Sequence, residues 1–224
     1  MTNSLCIRGR AAIGEGLPPY LIAEIGTNHN RDLETARRLV RTVAEQGFDC
    51  AKFQIYEVDE IVAGSVRTGD YGLDGLYGDI TAQAMFARHL QTPKAWFPEL
   101  KDLCHDLGID CAVTIHGHQG RNWAASIGFD LIKIASMDHT NTPFLKGLVN
   151  QIEPPILISS GMAQLEDIER ALAALEGHRS GIGLFHCVAV YPPEPTELRL
   201  ANIPFLSHRF ALPIGFSDHT TDTV

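Results

Sequence analysis

The chain has 224 residues, 45% of them hydrophobic, enough for one sizeable core or two small ones. Its 18 Lys and Arg against 27 Asp and Glu give a net charge of −9, which excludes a general nucleic-acid binder with its basic face but not a locally basic pocket for a small anion. No apolar run reaches the roughly 18 residues needed to span a membrane, the N-terminal MTNSLCIRGRAAIGEG lacks the basic-then-apolar order of a signal peptide, and five scattered cysteines without a Cys-x-x-Cys fit a reducing cytoplasm.

Taken in chain order, short continuous apolar runs alternate with helical patterns. The runs are residues 21–26 (LIAEIG), 50–55 (CAKFQI), 111–116 (CAVTIH), 131–136 (LIKIAS), 156–161 (ILISSG), 182–187 (IGLFHC) and 213–218 (PIGFSD). Between the first two, Leu33, Ala36, Leu39, Val40 and Val43 recur at helical spacing, with Gly47 as the stop. Residues 56–91 are long for one connection and Gly/Asp-rich in the middle, which reads as a functional lid or a disordered loop. A helix is expected over 93–107, with Thr92 as N-cap and Pro93 at its first position. Shorter helices fit near 121–127 and 143–149, and a further one fits 164–176.

Continuous rather than alternating strand runs imply burial on both faces, the mark of a parallel sheet covered by helices. The Gly-x-Gly-x-x-Gly fingerprint is absent after the first strand, which weakens a dinucleotide-binding open sheet. Polar residues end every run, as they do where each βα loop of a (β/α)₈ barrel contributes to one site. The expectation is therefore a single TIM-type barrel over residues 1–224, with seven identifiable strands and the eighth not present.

The strand ends carry the candidate chemistry. Lys52 and Lys133 lie inside apolar runs, where an unpaired cation is costly. They predict a bound phosphate or carboxylate, or else structural salt bridges with Glu24 or Asp138. Ser136, Ser159, Ser160 and Ser217 offer hydroxyls, and Ser159-Ser160-Gly161 offers backbone N–H groups, for anion oxygens. Glu24 is a buried carboxylate able to shuttle a proton, or the partner of Lys52. His116-x-His118 is a weak metal pair, and His219 is the favoured ligand among the histidines.

The strings Ala23-Glu24-Ile25-Gly26-Thr27-Asn28-His29-Asn30, Lys52-Phe53-Gln54, Lys133-Ile134-Ala135-Ser136, Ser159-Ser160-Gly161-Met162-Ala163, His186-Cys187 with Tyr191-Pro192, and Gly215-Phe216-Ser217-Asp218-His219-Thr220 resemble, in order, the sialic acid (N-acetylneuraminate) synthase family. The resemblance implies a barrel that condenses phosphoenolpyruvate with N-acetylmannosamine or a related amino sugar, with water, using Mn²⁺ or Mg²⁺. By that resemblance Lys52, Thr114, Lys133, Ser136, Ser159 and Ser217 hold phosphoenolpyruvate. Glu24 and Asp138 are the catalytic acids, Gln54, Asp138 and Tyr191 face the sugar, and His219 holds the metal. The family also implies a homodimer of the full-length protein, completed by an eighth strand bearing a Glu-x-His-Phe-Thr motif and by a C-terminal antifreeze-like domain. Neither is found within 1–224, so this stretch alone is expected to be a poor catalyst. Five positions depart from the family pattern: Arg31 for Gly, Ile115-His116 for Pro-Phe, Asp138 for Glu, and Ala189 for Asn. Two other readings stand beside it: a non-catalytic barrel binding a sugar or phospho-ligand, and a metal-dependent hydrolase using His116, His118 and Lys133.

Overall fold

The structure, a computed structural model, describes residues 4–221. They form two compact units: Leu21–Phe129, and residues 4–20 together with 130–221. In both, parallel strands alternate with helices, as in an α/β chain.

The chain opens on an antiparallel hairpin of β1 (Ser4–Ile7) and β2 (Arg10–Gly14), which the sequence reading missed. Its anchor is Leu5, 3% exposed. Leu5 fills space that two glycines leave: a Cβ on Gly181 would come within 2.7 Å of its Cδ2, and one on Gly183 within 3.2 Å of its Cδ1. Nothing in the hairpin's own pattern announces this, because the complementary vacancy lies some 170 residues downstream.

In the Leu21–Phe129 unit, β3 (Ile22–Gly26) is followed by α1 (Leu33–Glu45) and β4 (Cys50–Ile55). The Asp32 side chain caps α1 by accepting from the Thr35 N–H, Ala36, Val40 and Val43 face inward, and Gly47 at φ +77° turns the chain out, as the periodicity predicts. The stretch 56–91 is neither an open lid nor disordered. It contains α2 (Val58–Ile61), a 3₁₀ turn (Thr68–Tyr71), α3 (Asp74–Tyr77) and α4 (Ala82–Met85), the last running into a π-helical turn at Phe86–Leu90. Tyr56, Val58, Val62 and Ala82 form a small core under these pieces. Its Gly/Asp-rich middle makes turns: Thr68 Oγ1 donates to the Gly78 carbonyl at 2.7 Å, and Arg67 donates to the Asp79 carboxylate at 2.7 Å.

The helix expected from Pro93 starts later. Residues Lys94–Trp96 form a 3₁₀ turn, and α5 (Phe97–Asp106) follows with Pro98 in its first turn. Thr92 is not the cap, because its hydroxyl is taken: Oγ1 lies 2.7 Å from His29 Nε2, both residues being buried. Strand β5 (Asp110–Ile115) is buried throughout, and α6 (Gly117–Ile127) packs closely on β4. A Cβ on Gly120 would sit 2.7 Å from the Ile55 carbonyl oxygen. Strands β3, β4 and β5 pair in parallel, in that order.

His29 gives this unit a pH dependence. Its Nδ1 accepts from the Arg31 N–H at 3.0 Å, so Nε2 carries the proton and donates to Thr92. Burial, reinforced by the Arg31 charge, holds its pKa below the ordinary histidine value. Below about pH 6.5 the unfolded chain gains a proton that the folded chain refuses, so stability falls as pH falls through that value toward the depressed folded pKa. His29→Gln removes the titration. Between pH 7.5 and 5 the wild type is expected to lose about 2–4 °C more in Tm than the variant, read by scanning calorimetry; parallel curves would refute this.

In the other unit, β6 (Leu131–Ile134), α7 (Thr142–Leu148), β7 (Ile156–Ser159), α8 (Leu165–Ala174), β8 (Ile182–Cys187), α9 (Asn202–Phe210) and β9 (Ile214–Ser217) alternate. The four strands pair in parallel, in chain order. Asn141 caps α7, and Gln164 with Asp167 forms a capping box on α8. The runs at 131–136 and 156–161 end two residues before their expected limits, because Ala135-Ser136 and Ser160-Gly161 leave the ladder for the loops. Among the described residues, no helix is long and apolar enough to cross a membrane.

Candidate active site

The Leu21–Phe129 unit groups Glu24, Lys52, Gln54 and Thr114. Glu24 stands beside Lys52 in the β3–β4 register, and the ladder slips between Glu24 and Gly26, where Gly26 takes φ +53°. Lys52 is buried, ion-paired with the Glu24 carboxylate, and donates to Thr114 Oγ1 at 3.1 Å. Its register neighbour on β5 is Ala112, so the side chain reaches two residues toward the strand's C-terminal end. The salt-bridge reading of Lys52 therefore holds in this structure. Glu24 itself is not buried: 45% of its side chain is exposed, at the end strand of its sheet. A Cβ at Gly26 would lie 3.1 Å from Glu24 Oε1 and 3.5 Å from Gln54 Nε2, so the two polar groups flank this glycine.

Arg31, where the family pattern has glycine, sits at φ +55°, the region that favours glycine. Its guanidinium donates to the Ala87 carbonyl. The substitution thus accepts a backbone cost and adds a tether to the 56–91 segment.

In the second unit, burial lowers the Lys133 pKa, with Cys187 and Asp138 acting in the opposite direction. Ser136 lies just past β6 in a 3₁₀ turn with Asp138. Its Oγ accepts from the Gly161 N–H at 3.1 Å and stands 3.2 Å from Cys187 Sγ. His139 Nδ1–H donates to the Ser136 carbonyl and steadies the turn. Ser159, at the end of β7, is 1% exposed and its Oγ has no hydrogen-bond partner. Ser217 Oγ lies 3.4 Å from His219 Nε2, while His219 Nδ1 lies 3.3 Å from the Val188 carbonyl. The Tyr191 ring is 4.2 Å from that imidazole and 71% exposed, beside a cis Tyr191–Pro192 bond.

His219 is oriented by a carbonyl in the way metal-bound histidines are, yet among the described residues no three His, Cys, Asp or Glu side chains gather that could hold an ion. His116 is buried at the head of α6 and His118 is exposed on it.

The contact of Cys187 is one that no local pattern in the sequence announces: the residue is buried at the end of β8, and its Sγ stands 3.2 Å from Ser136 Oγ.

Parallel strands alternating with helices, with lysines and hydroxyls on or just past them, are the pattern of an α/β chain of the TIM-barrel class. The solved sialic acid synthetase of Leptospira borgpetersenii superposes with a TM-score of 0.83 at 27% identity, covering 98% of this chain and 71% of that one. The chain belongs to the NeuB family, which it matches over residues 39–224. It is 30% identical to the N,N'-diacetyllegionaminic acid synthase of Legionella pneumophila over 98% of its length and 63% of that protein's. It is likewise 30% identical to the N-acetylneuraminate-9-phosphate synthase of Drosophila melanogaster, over 89% of this chain and 54% of that one. The chain thus spans a little over half the length of these relatives, and seven strands of the barrel fall within its described residues.

Proposed function

We propose that the complete protein condenses phosphoenolpyruvate with an amino sugar and water, giving a nonulosonic acid and phosphate. Within this reading Lys52, Thr114, Lys133, Ser136, Ser159 and Ser217 bind phosphoenolpyruvate, and Gln54, Asp138 and Tyr191 orient the sugar. Carbon 3 of phosphoenolpyruvate bonds to the aldehyde carbon of the open-chain sugar, leaving an alkoxide on that carbon and a cation at carbon 2. Water then adds to the cationic carbon 2, and its proton passes to Glu24, which returns it to the new alkoxide. The bond from carbon 2 to the phosphate oxygen breaks, its electrons leave with phosphate, and the remaining hydroxyl loses its proton to give the ketone.

The observation that carries this reading is Lys133, a half-buried lysine inside β6, in the same unit as the buried, unpartnered hydroxyl of Ser159. A partly desolvated cation and a spare donor suit an anion. The test is phosphate release from phosphoenolpyruvate and N-acetylmannosamine, with Mn²⁺ added, in H₂¹⁸O. The label is expected in the keto acid and not in phosphate. No release with any hexosamine, or labelled phosphate, would overturn the reading.

A further inference from the structure

Cys187 is buried, 8% exposed, and the reaction proposed above gives it no task. It is the last residue of β8 and pairs in register with Ser217 of β9. Its Sγ makes a close contact with Ser136 Oγ, at 3.2 Å. Gly161 makes the room for that contact. A Cβ there would lie 2.7 Å from both Sγ and Oγ. Gly161 does not take a positive φ, so space and not backbone freedom calls for the glycine.

A serine oxygen accepts two hydrogen bonds and donates one. The Gly161 N–H, at 3.1 Å, fills one acceptor position of Ser136 Oγ. Cys187 is the second neighbour of that oxygen. A thiol plays either part, as a weak acceptor through sulfur or a weak donor through S–H. An anion oxygen at Ser136 draws the hydroxyl proton toward itself and off sulfur. The S–H is then free to turn into the remaining acceptor position. Ser136 Oγ thereby has its full complement: bonds accepted from Gly161 and Cys187, and one donated to the anion. A methyl group at position 187 has neither a lone pair nor a proton with which to follow this change.

We propose that Cys187 is a positioning residue for Ser136: its thiol accepts the hydroxyl proton when the site is empty and donates to the hydroxyl oxygen when an anion takes that proton. The proposal rests on the reading of Ser136 as a phosphoenolpyruvate ligand and deepens it.

The test reads the S–H stretching band of the complete protein by Raman spectroscopy, because a thiol that becomes a donor shifts to lower frequency. The sequence has five cysteines, so the Cys187 component is identified as the part missing from Cys187→Ser. Adding phosphoenolpyruvate is expected to lower its frequency in the wild type and to leave it in place in Ser136→Ala. Calorimetry should show phosphoenolpyruvate binding about three- to tenfold weaker for Cys187→Ala, the worth of about one neutral hydrogen bond. Cys187→Ser keeps both a proton and lone pairs and should stay within about twofold of the wild type. In the Ser136→Ala background, Cys187→Ala should cost nothing further. Circular dichroism checks that each variant folds. An unmoved band, equal binding by the wild type and Cys187→Ala, failure of serine to rescue, or strict additivity with Ser136→Ala overturns the proposal. Failure of the underlying reading would show differently: a wild type that binds no phosphoenolpyruvate overturns that reading, and this proposal with it.

Discussion

Lys133→Met is expected to weaken phosphoenolpyruvate binding about 100-fold, the loss of one or two charge-assisted hydrogen bonds at roughly 1.5–3 kcal/mol each. Calorimetry on the complete protein reads it directly. Fold stability should move the other way. Methionine fills a similar volume without the burial cost that lowers the lysine's pKa, so Tm is expected to hold or rise. The wild type should also show a pH signature. With the folded pKa below the ordinary lysine value of about 10.4, an anion that favours the charged form binds less well as pH rises through that lowered pKa. Affinity therefore falls at a pH where an exposed lysine would still be fully charged. Lys133→Arg keeps its charge and should flatten the profile. If Lys133→Met binds normally, or if the profile is unmoved by arginine, Lys133 does not hold the anion.

Gly161→Ala is expected to have the next largest effect. An added Cβ would lie 2.7 Å from both Cys187 Sγ and Ser136 Oγ. Neither is the far end of a flexible side chain, so backbone or rotamers have to shift, at about 1–3 kcal/mol. The same shift displaces the Gly161 N–H from Ser136 Oγ, a 3.1 Å bond that aims the hydroxyl. Phosphoenolpyruvate affinity should fall about tenfold for the loss of about one aligned hydrogen bond, with Tm several degrees lower. Adding Cys187→Ala vacates one of the two contacts. The double variant should recover part of the stability, a coupling within the range of about 0.5–3 kcal/mol for touching residues. Strict additivity of the two changes would show that the three groups do not share that space.

Much of the fold was legible because strands and helices announce themselves by period. The runs at 50–55 and 182–187 coincide with β4 and β8, and α1 fits its apolar stripe, its Asp32 cap and its glycine stop. The failures share one cause: the deciding partner is distant in sequence. Thr92 looks like a cap until His29, 63 residues earlier, takes its hydroxyl. The β1–β2 hairpin looks featureless until Gly181 and Gly183 make room for Leu5. Segment 56–91 looks like a loop because its elements are only four or five residues long and rest on a private core. At the candidate site, residue types and positions were legible and their states were not. Glu24 was expected buried and is half exposed, and the contact of Cys187 with Ser136 joins residues 51 positions apart.

The segment 56–91 is also held from outside its own span. Arg31 grips Ala87, His29 holds Thr92 just past its end, and within it Gln91 Nε2 donates to the Tyr56 carbonyl at 2.9 Å. It is therefore not a self-contained cassette. Transplanted into a relative with glycine at the Arg31 position, it would arrive with its internal clasp but without its mooring. A productive exchange has to move the Asn28–Arg31 turn together with it.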